Sequence, residues 1–113
     1  MFKEELELTR RNVTPSQFCA YIRNQIRQHN FESIRAEDID LDYWRRGNDL
    51  SFDIKGNDPE NDPCEHERSI SKPYEEQTYI LNWDGSVYNF ILEFNFWDDK
   101  TGTGYFYFVN TIA

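Results

Sequence analysis

The chain has 113 residues, 38% of them hydrophobic, 17% aromatic and 29% charged, with a net charge of -9 at neutral pH. That length suits one domain around one core, and nine Phe, seven Tyr and three Trp supply too much large apolar surface for a disordered chain. No apolar run approaches the roughly 18 residues of a membrane span, and the opening MFKEELELTRR lacks the basic-then-apolar order of a signal peptide, so a cytoplasmic protein is expected.

Two cysteines, Cys19 and Cys64, make a poor disulfide framework and fit a reducing compartment. The charge is unevenly spread. Residues 1–35 hold six Lys/Arg against four Asp/Glu, whereas residues 36–113 hold six against seventeen. A field of that sign disfavours nucleic acid and anionic membranes and favours a basic protein partner. The plainer explanation is a solvated surface that only keeps the protein soluble.

In chain order, residues 1–13 form an N-terminal arm. Its alternation Glu5-Leu6-Glu7-Leu8-Thr9 suits a strand, while Phe2, Glu5 and Leu6 suit a short helix equally well. Thr14-Pro15-Ser16-Gln17 has the form of a capping box with Pro at the first helical position. Phe18, Ile22, Ile26 and His29 then recur at helical spacing and predict an amphipathic helix over 14–29.

From Ala36 the period shortens to two. Ile39, Leu41 and Tyr43 alternate with Asp38, Asp40 and Asp42; after Arg45-Arg46-Gly47-Asn48, Leu50, Phe52 and Ile54 alternate with Asp49, Ser51 and Asp53. This predicts a hairpin. An acidic, Pro-containing loop over 56–73 follows, and then a three-stranded meander: 75–83, the turn pair Asp84-Gly85, 87–97, the turn-rich stretch Asp98 to Gly104, and 105–110. The expected fold is α+β, one helix packed on a twisted antiparallel sheet of about five strands. Tyr88, Phe90, Leu92, Phe94 and Phe96 would line the helix-covered face, with Tyr105, Tyr107 and Trp97 partly exposed on the other.

The same geometry would project Asp38, Asp40, Asp42, Asp49 and Asp53 together from the outer side of the hairpin. Carboxylates at alternate strand positions lie roughly 6–7 Å apart, and two adjacent strands of them approach the charge density of a nucleic-acid backbone. With Trp44, Trp97, Tyr105 and Tyr107 as flanking aromatics, they are the candidate partner-binding residues.

Catalytic and metal signatures are weak. Cys64 and His66 in the loop lack a second ligand pair for zinc and lack an orienting group for nucleophilic catalysis. Gly102-Thr103-Gly104 joins strands and opens no helix, so it reads as a turn and not as a phosphate cradle. No cofactor or metal is expected. The sequence favours a non-enzymatic inhibitor that occupies the nucleic-acid-binding surface of a basic protein. Phage-encoded anti-restriction and anti-CRISPR factors and toxin-immunity proteins act in this way, a likeness of size and charge only. The alternatives are a homo-oligomeric assembly protein, using the exposed aromatics or the terminal strand at Val109-Asn110-Thr111-Ile112-Ala113, and a small metal-dependent enzyme using Cys64 and His66.

Overall fold

The computed structural model describes residues 2–31, 34–56, 77–83 and 86–112. These form strand β1 (Phe2–Val13), helix α1 (Pro15–His29), a 3-10 turn (Ala36–Asp38), and strands β2 (Ile39–Arg46), β3 (Asp49–Gly56), β4 (Thr78–Trp83), β5 (Ser86–Phe96) and β6 (Gly102–Ile112). The fold is α+β, with one helix and a six-stranded antiparallel sheet.

Strand order is β1-β6-β5-β3-β2, with β4 also paired to β5. The N-terminal arm is therefore a full strand. Leu6 and Leu8 lie opposite Phe108 and Phe106 of β6, so the period-two reading of this segment wins because β6 offers an aromatic face for both leucines. The arm brings the sheet to six strands, close to the five or so expected. One expectation is corrected: the segment ending in Val109 to Ile112 is an interior strand, flanked by β1 and β5, not an edge.

α1 begins as its residues dictate. The Thr14 hydroxyl accepts from the Gln17 N–H (3.2 Å) and the Gln17 side chain accepts from the Thr14 N–H (2.9 Å), closing the capping box ahead of Pro15. Asn30, in the left-handed region at φ 57°, ends the helix. Its buried stripe is Phe18, Cys19, Ile22 and Ile26. Phe18 packs edge-on against Phe52 of β3 and is tilted against Phe94 of β5, with centroid distances of 6.3 and 5.8 Å.

The glycines of Gly102-Thr103-Gly104 are not a turn but the first part of β6. A Cβ on Gly104 would stand 2.5 Å from the Phe18 ring, and one on Gly102 would collide with the Asn95 carbonyl oxygen. Close approach of the helix selects glycine at 104, and close approach of β5 selects it at 102, a packing reason the turn reading lacked.

β5 is the spine of the sheet. One edge pairs with β6 along its whole length; the other is shared, with β4 holding residues 86–91 and β3 touching only through Asp49 opposite Asn95. At that join the Phe96 N–H donates to the Asn48 carbonyl (2.7 Å). Further along, β3 has swung away, and the Phe52 N–H donates to the Tyr79 hydroxyl (3.2 Å) instead of to a strand. The β2–β3 hairpin thus leans over the helix. The Arg23 guanidinium donates to the carbonyls of Ala36 (3.3 Å) and Ile39 (2.9 Å), and the Ser16 and Tyr43 hydroxyls are 2.7 Å apart, so α1 runs antiparallel to β2. The core lies between: Ile39, Leu41, Leu50, Phe52, Ile54, Phe90, Leu92, Phe106 and Phe108 are all buried.

Candidate partner-binding face

The side of the sheet away from α1 carries the acidic groups because every strand alternates and the core claims the other parity. On β2 and β3, Asp40 lies opposite Lys55, Asp42 opposite Asp53, Trp44 opposite Ser51, and Arg46 opposite Asp49. Asp40, Asp42, Trp44 and Arg46 of β2 and Asp49, Ser51 and Asp53 of β3 belong to the outer face. Asp42 and Asp49 are exposed, whereas Asp40 and Asp53 are half-buried.

The fifth carboxylate of the expected set does not join them. Asp38 ends the 3-10 turn, and its side chain accepts from the Arg35 N–H at 3.1 Å. The period-two pattern runs through Asp38, but the strand starts one residue later, and the carboxylate is taken up by the turn that precedes it. The anionic group on the hairpin is therefore Asp40, Asp42, Asp49 and Asp53.

Asp42 and Asp53 are its centre. They occupy directly opposed positions, and among the described residues neither accepts a hydrogen bond or an ion pair. At the ends of the hairpin the pattern changes, with Arg46 opposite Asp49 and Lys55 opposite Asp40. Negative charge is concentrated in the middle of the ladder, and at the turn end Asp49 has Arg46 in register opposite it.

The acidic surface extends beyond the hairpin. On β6, Tyr107 lies between Glu7 of β1 and Ile91 of β5, and Tyr105 between Thr9 and Glu93. Both tyrosines are half-buried. Desolvation, with Glu7 and Tyr107 adding to it, pushes the Tyr105 hydroxyl above the usual tyrosine pKa. Neither Glu7 nor Glu93 is among the candidate partner-binding residues read from the sequence, although the alternation of β5 already puts Glu93 on its outer face. For Glu7 the Glu-Leu-Glu-Leu-Thr alternation of residues 5–9 is the available signal, and it requires the arm to be a strand.

Between β3 and β5, where the strands part, a polar cleft of about 580 Å³ opens, lined by Arg46, Asp49, Ser51, Gln77, Glu93 and Asn95 among others. Asn95 donates to Glu93 (3.2 Å). Carboxylates from both walls and the amides of Gln77 and Asn95 give the cleft acceptors for a cationic side chain.

The two exposed tryptophans stand at one end of the sheet. Trp44, 51% exposed, lies on the outer face of β2 opposite Ser51; Trp97, 69% exposed, follows β5 and donates its indole N–H to the Thr103 hydroxyl at 2.7 Å. Arg45 ties the turns at this end together: its guanidinium sits 3.9 Å from the centroid of Phe96 and donates to the carbonyls of Gly47 (2.7 Å) and Asp99 (3.0 Å). Asp98 closes the β5–β6 turn by accepting from the N–H groups of Lys100 (2.8 Å) and Thr101 (2.7 Å).

Cys64 and His66 lie outside the described residues, as does the rest of the acidic loop. Among the described residues no group of three or more His, Cys, Asp or Glu side chains is arranged to hold a metal ion. Cys19 lies on the buried stripe of α1, where desolvation pushes its thiol up to about 11. No described helix is long and apolar enough to cross a membrane. Comparisons of the chain with family models, with curated proteins and with solved structures find no match, so its function is argued from its own residues.

Proposed function

We propose that the outer sheet face binds a basic protein and occupies the surface with which that protein holds nucleic acid. The observation that carries this is the confrontation of Asp42 and Asp53. Like charges at directly opposed positions destabilise a ladder by up to about 1 kcal/mol, and this pair lies beside Trp44 on an exposed face with no cation in contact among the described residues. A partner's Arg or Lys would relieve that repulsion on docking. The complex then gains what the free protein forgoes.

The surroundings suit the same occupant. The cleft beside Asp49 and Glu93 has room for a guanidinium and its stem, and carboxylate acceptors favour Arg through paired hydrogen bonds. Trp44 and Trp97 supply apolar contact at the rim and a face for cation–π contact. The acidity that attracts a basic partner also opposes self-association through this face, which weighs against an assembly built on its aromatics.

The test is capture of partner from the native host by the wild-type chain and by a variant with Asp40, Asp42, Asp49 and Asp53 all changed to Asn. The wild type should retain a basic protein that nucleic acid displaces and that high salt releases. The variant should retain none of it while keeping its far-UV spectrum. Equal retention by the two, or no competition from nucleic acid, rejects the proposal.

A further inference from the structure

β1 is an edge strand: it pairs with β6 on one side, and no described strand covers the other. An uncovered edge of this length exposes a row of N–H and C=O groups to pairing with another chain. Its helix-side row reads Glu4, Leu6, Leu8, Arg10, lying opposite Asn110, Phe108, Phe106 and Gly104 of β6. The charged ends of this row are incomplete. Glu4 Oε2 and Arg10 Nε are both buried, and neither has a hydrogen-bond partner. Leu6 is only half-buried, although its neighbour Leu8 is 7% exposed.

We infer that this edge pairs antiparallel with the β1 edge of a second copy about a two-fold axis through Glu7. In that register Glu4 of each copy faces Arg10 of the other, whose guanidinium stands 4.9 Å from the centroid of the Tyr21 ring, and Leu6 faces Leu8, so the two atoms lacking a hydrogen-bond partner and the half-covered leucine are completed together. The interface is self-complementary, as a two-fold axis requires. Other registers fail. Centring on Leu6 sets Glu4 against Leu8, and centring on Leu8 sets Leu6 against Arg10 and Glu4 against Asn12. A one-residue slip turns one copy's helix side against the other's outer side.

The strand also marks where pairing stops. Asn12 has φ 56°, and the register to β6 shifts between Arg10 and Val13. That bulge follows the last residue the pairing uses. On the outer side Glu7 meets its own copy at the axis, but it is exposed and salt screens the repulsion. Each copy keeps its hairpin face and cleft, which lie toward the opposite edge of the sheet, so the dimer stands independently of the function proposed above.

Sedimentation velocity across a concentration series tests this. The wild type should pass to a species of two chains as concentration rises, whereas Glu4→Arg and Arg10→Glu should each remain single chains. Mixing the two variants should restore a two-chain species, because each arginine of one then faces a glutamate of the other. The double exchange Glu4→Arg/Arg10→Glu should also pair with itself, and it decides the matter if either single variant fails to fold. A wild type that stays a single chain to millimolar concentration, single variants that associate as the wild type does, or a double exchange that does not pair would overturn the inference.

Discussion

Asp42 and Asp53 face each other across the β2–β3 ladder, two positions from the Asp40–Lys55 pair on one side and four from the Arg46–Asp49 pair on the other. The hairpin holds its shape because its other side is buried. Leu41 and Leu50 are 8% and 9% exposed, and Phe52 and Ile54 are 3% and 1% exposed. Burial of an aliphatic or aromatic side chain contributes about 1.5–3 kcal/mol, more than the repulsion on the outer face takes away. Stability is set on one side of the hairpin and leaves the other side for recognition.

Asp42→Asn or Asp53→Asn should therefore raise stability slightly, by roughly 0.2–1 kcal/mol, while weakening partner binding. Urea denaturation checks the first effect and the partner's dissociation constant the second. The gain should shrink at high salt. Loss of stability on either substitution would mean that the carboxylate is compensated within the chain.

Gly104→Ala should destabilise by about 1–3 kcal/mol, because the new methyl group would meet the Phe18 ring at 2.5 Å. Phe18→Leu should be less costly in the Gly104→Ala background than in the wild type, since the smaller side chain gives the methyl group room. A double-mutant cycle by thermal or chemical unfolding measures the coupling.

Thr14→Ala removes the acceptor for the Gln17 N–H and should cost about 1 kcal/mol. Loss of the helical circular dichroism signal should coincide with loss of tertiary signal, because α1 is held by the buried stripe that includes Phe18 and Ile22.

Backbone hydrogen bonds from Thr101 and Lys100 hold the Asp98 carboxyl below the usual carboxylate range. Its proton is bound less tightly in the folded than in the unfolded chain, so unfolding in acid takes up a proton. The stabilisation is present in full above the ordinary aspartate value and is lost as pH falls through the lower folded value. Asp98→Asn should flatten this part of the stability–pH curve, with Trp97 fluorescence reporting the β5–β6 turn.

Burial pushes the Cys19 thiol up to about 11 from 9.0. At pH 8 its thiolate fraction is about a hundredfold below that of an ordinary cysteine, and the native chain also shields it. Iodoacetamide should leave Cys19 unmodified in the folded protein and modify it in urea. Peptide mapping by mass spectrometry reads this directly.

The capping box, the helix over 15–29, the β2–β3 hairpin and the parity of β5 were legible because each rests on neighbours within a few residues. Asp38 misled for the same reason. Its place in the alternation was correct, but the choice between strand and 3-10 turn depended on the Arg35 N–H and on where Ala36 is buried.

The N-terminal arm was different. Its sequence allows a strand or a short helix, and only the aromatic surface of β6, nearly a hundred residues away, selects the strand. Glu7 on the acidic face, and Glu4 and Arg10 on the open edge, follow from that choice. So does the tight seat of Phe18 on Gly104, which converts an expected turn into sheet. Local spacing determined which side of each strand is acidic. Long-range packing decided which strands are neighbours, which edge is open and which carboxylates are left facing one another, because those depend on contacts that no short stretch of chain contains.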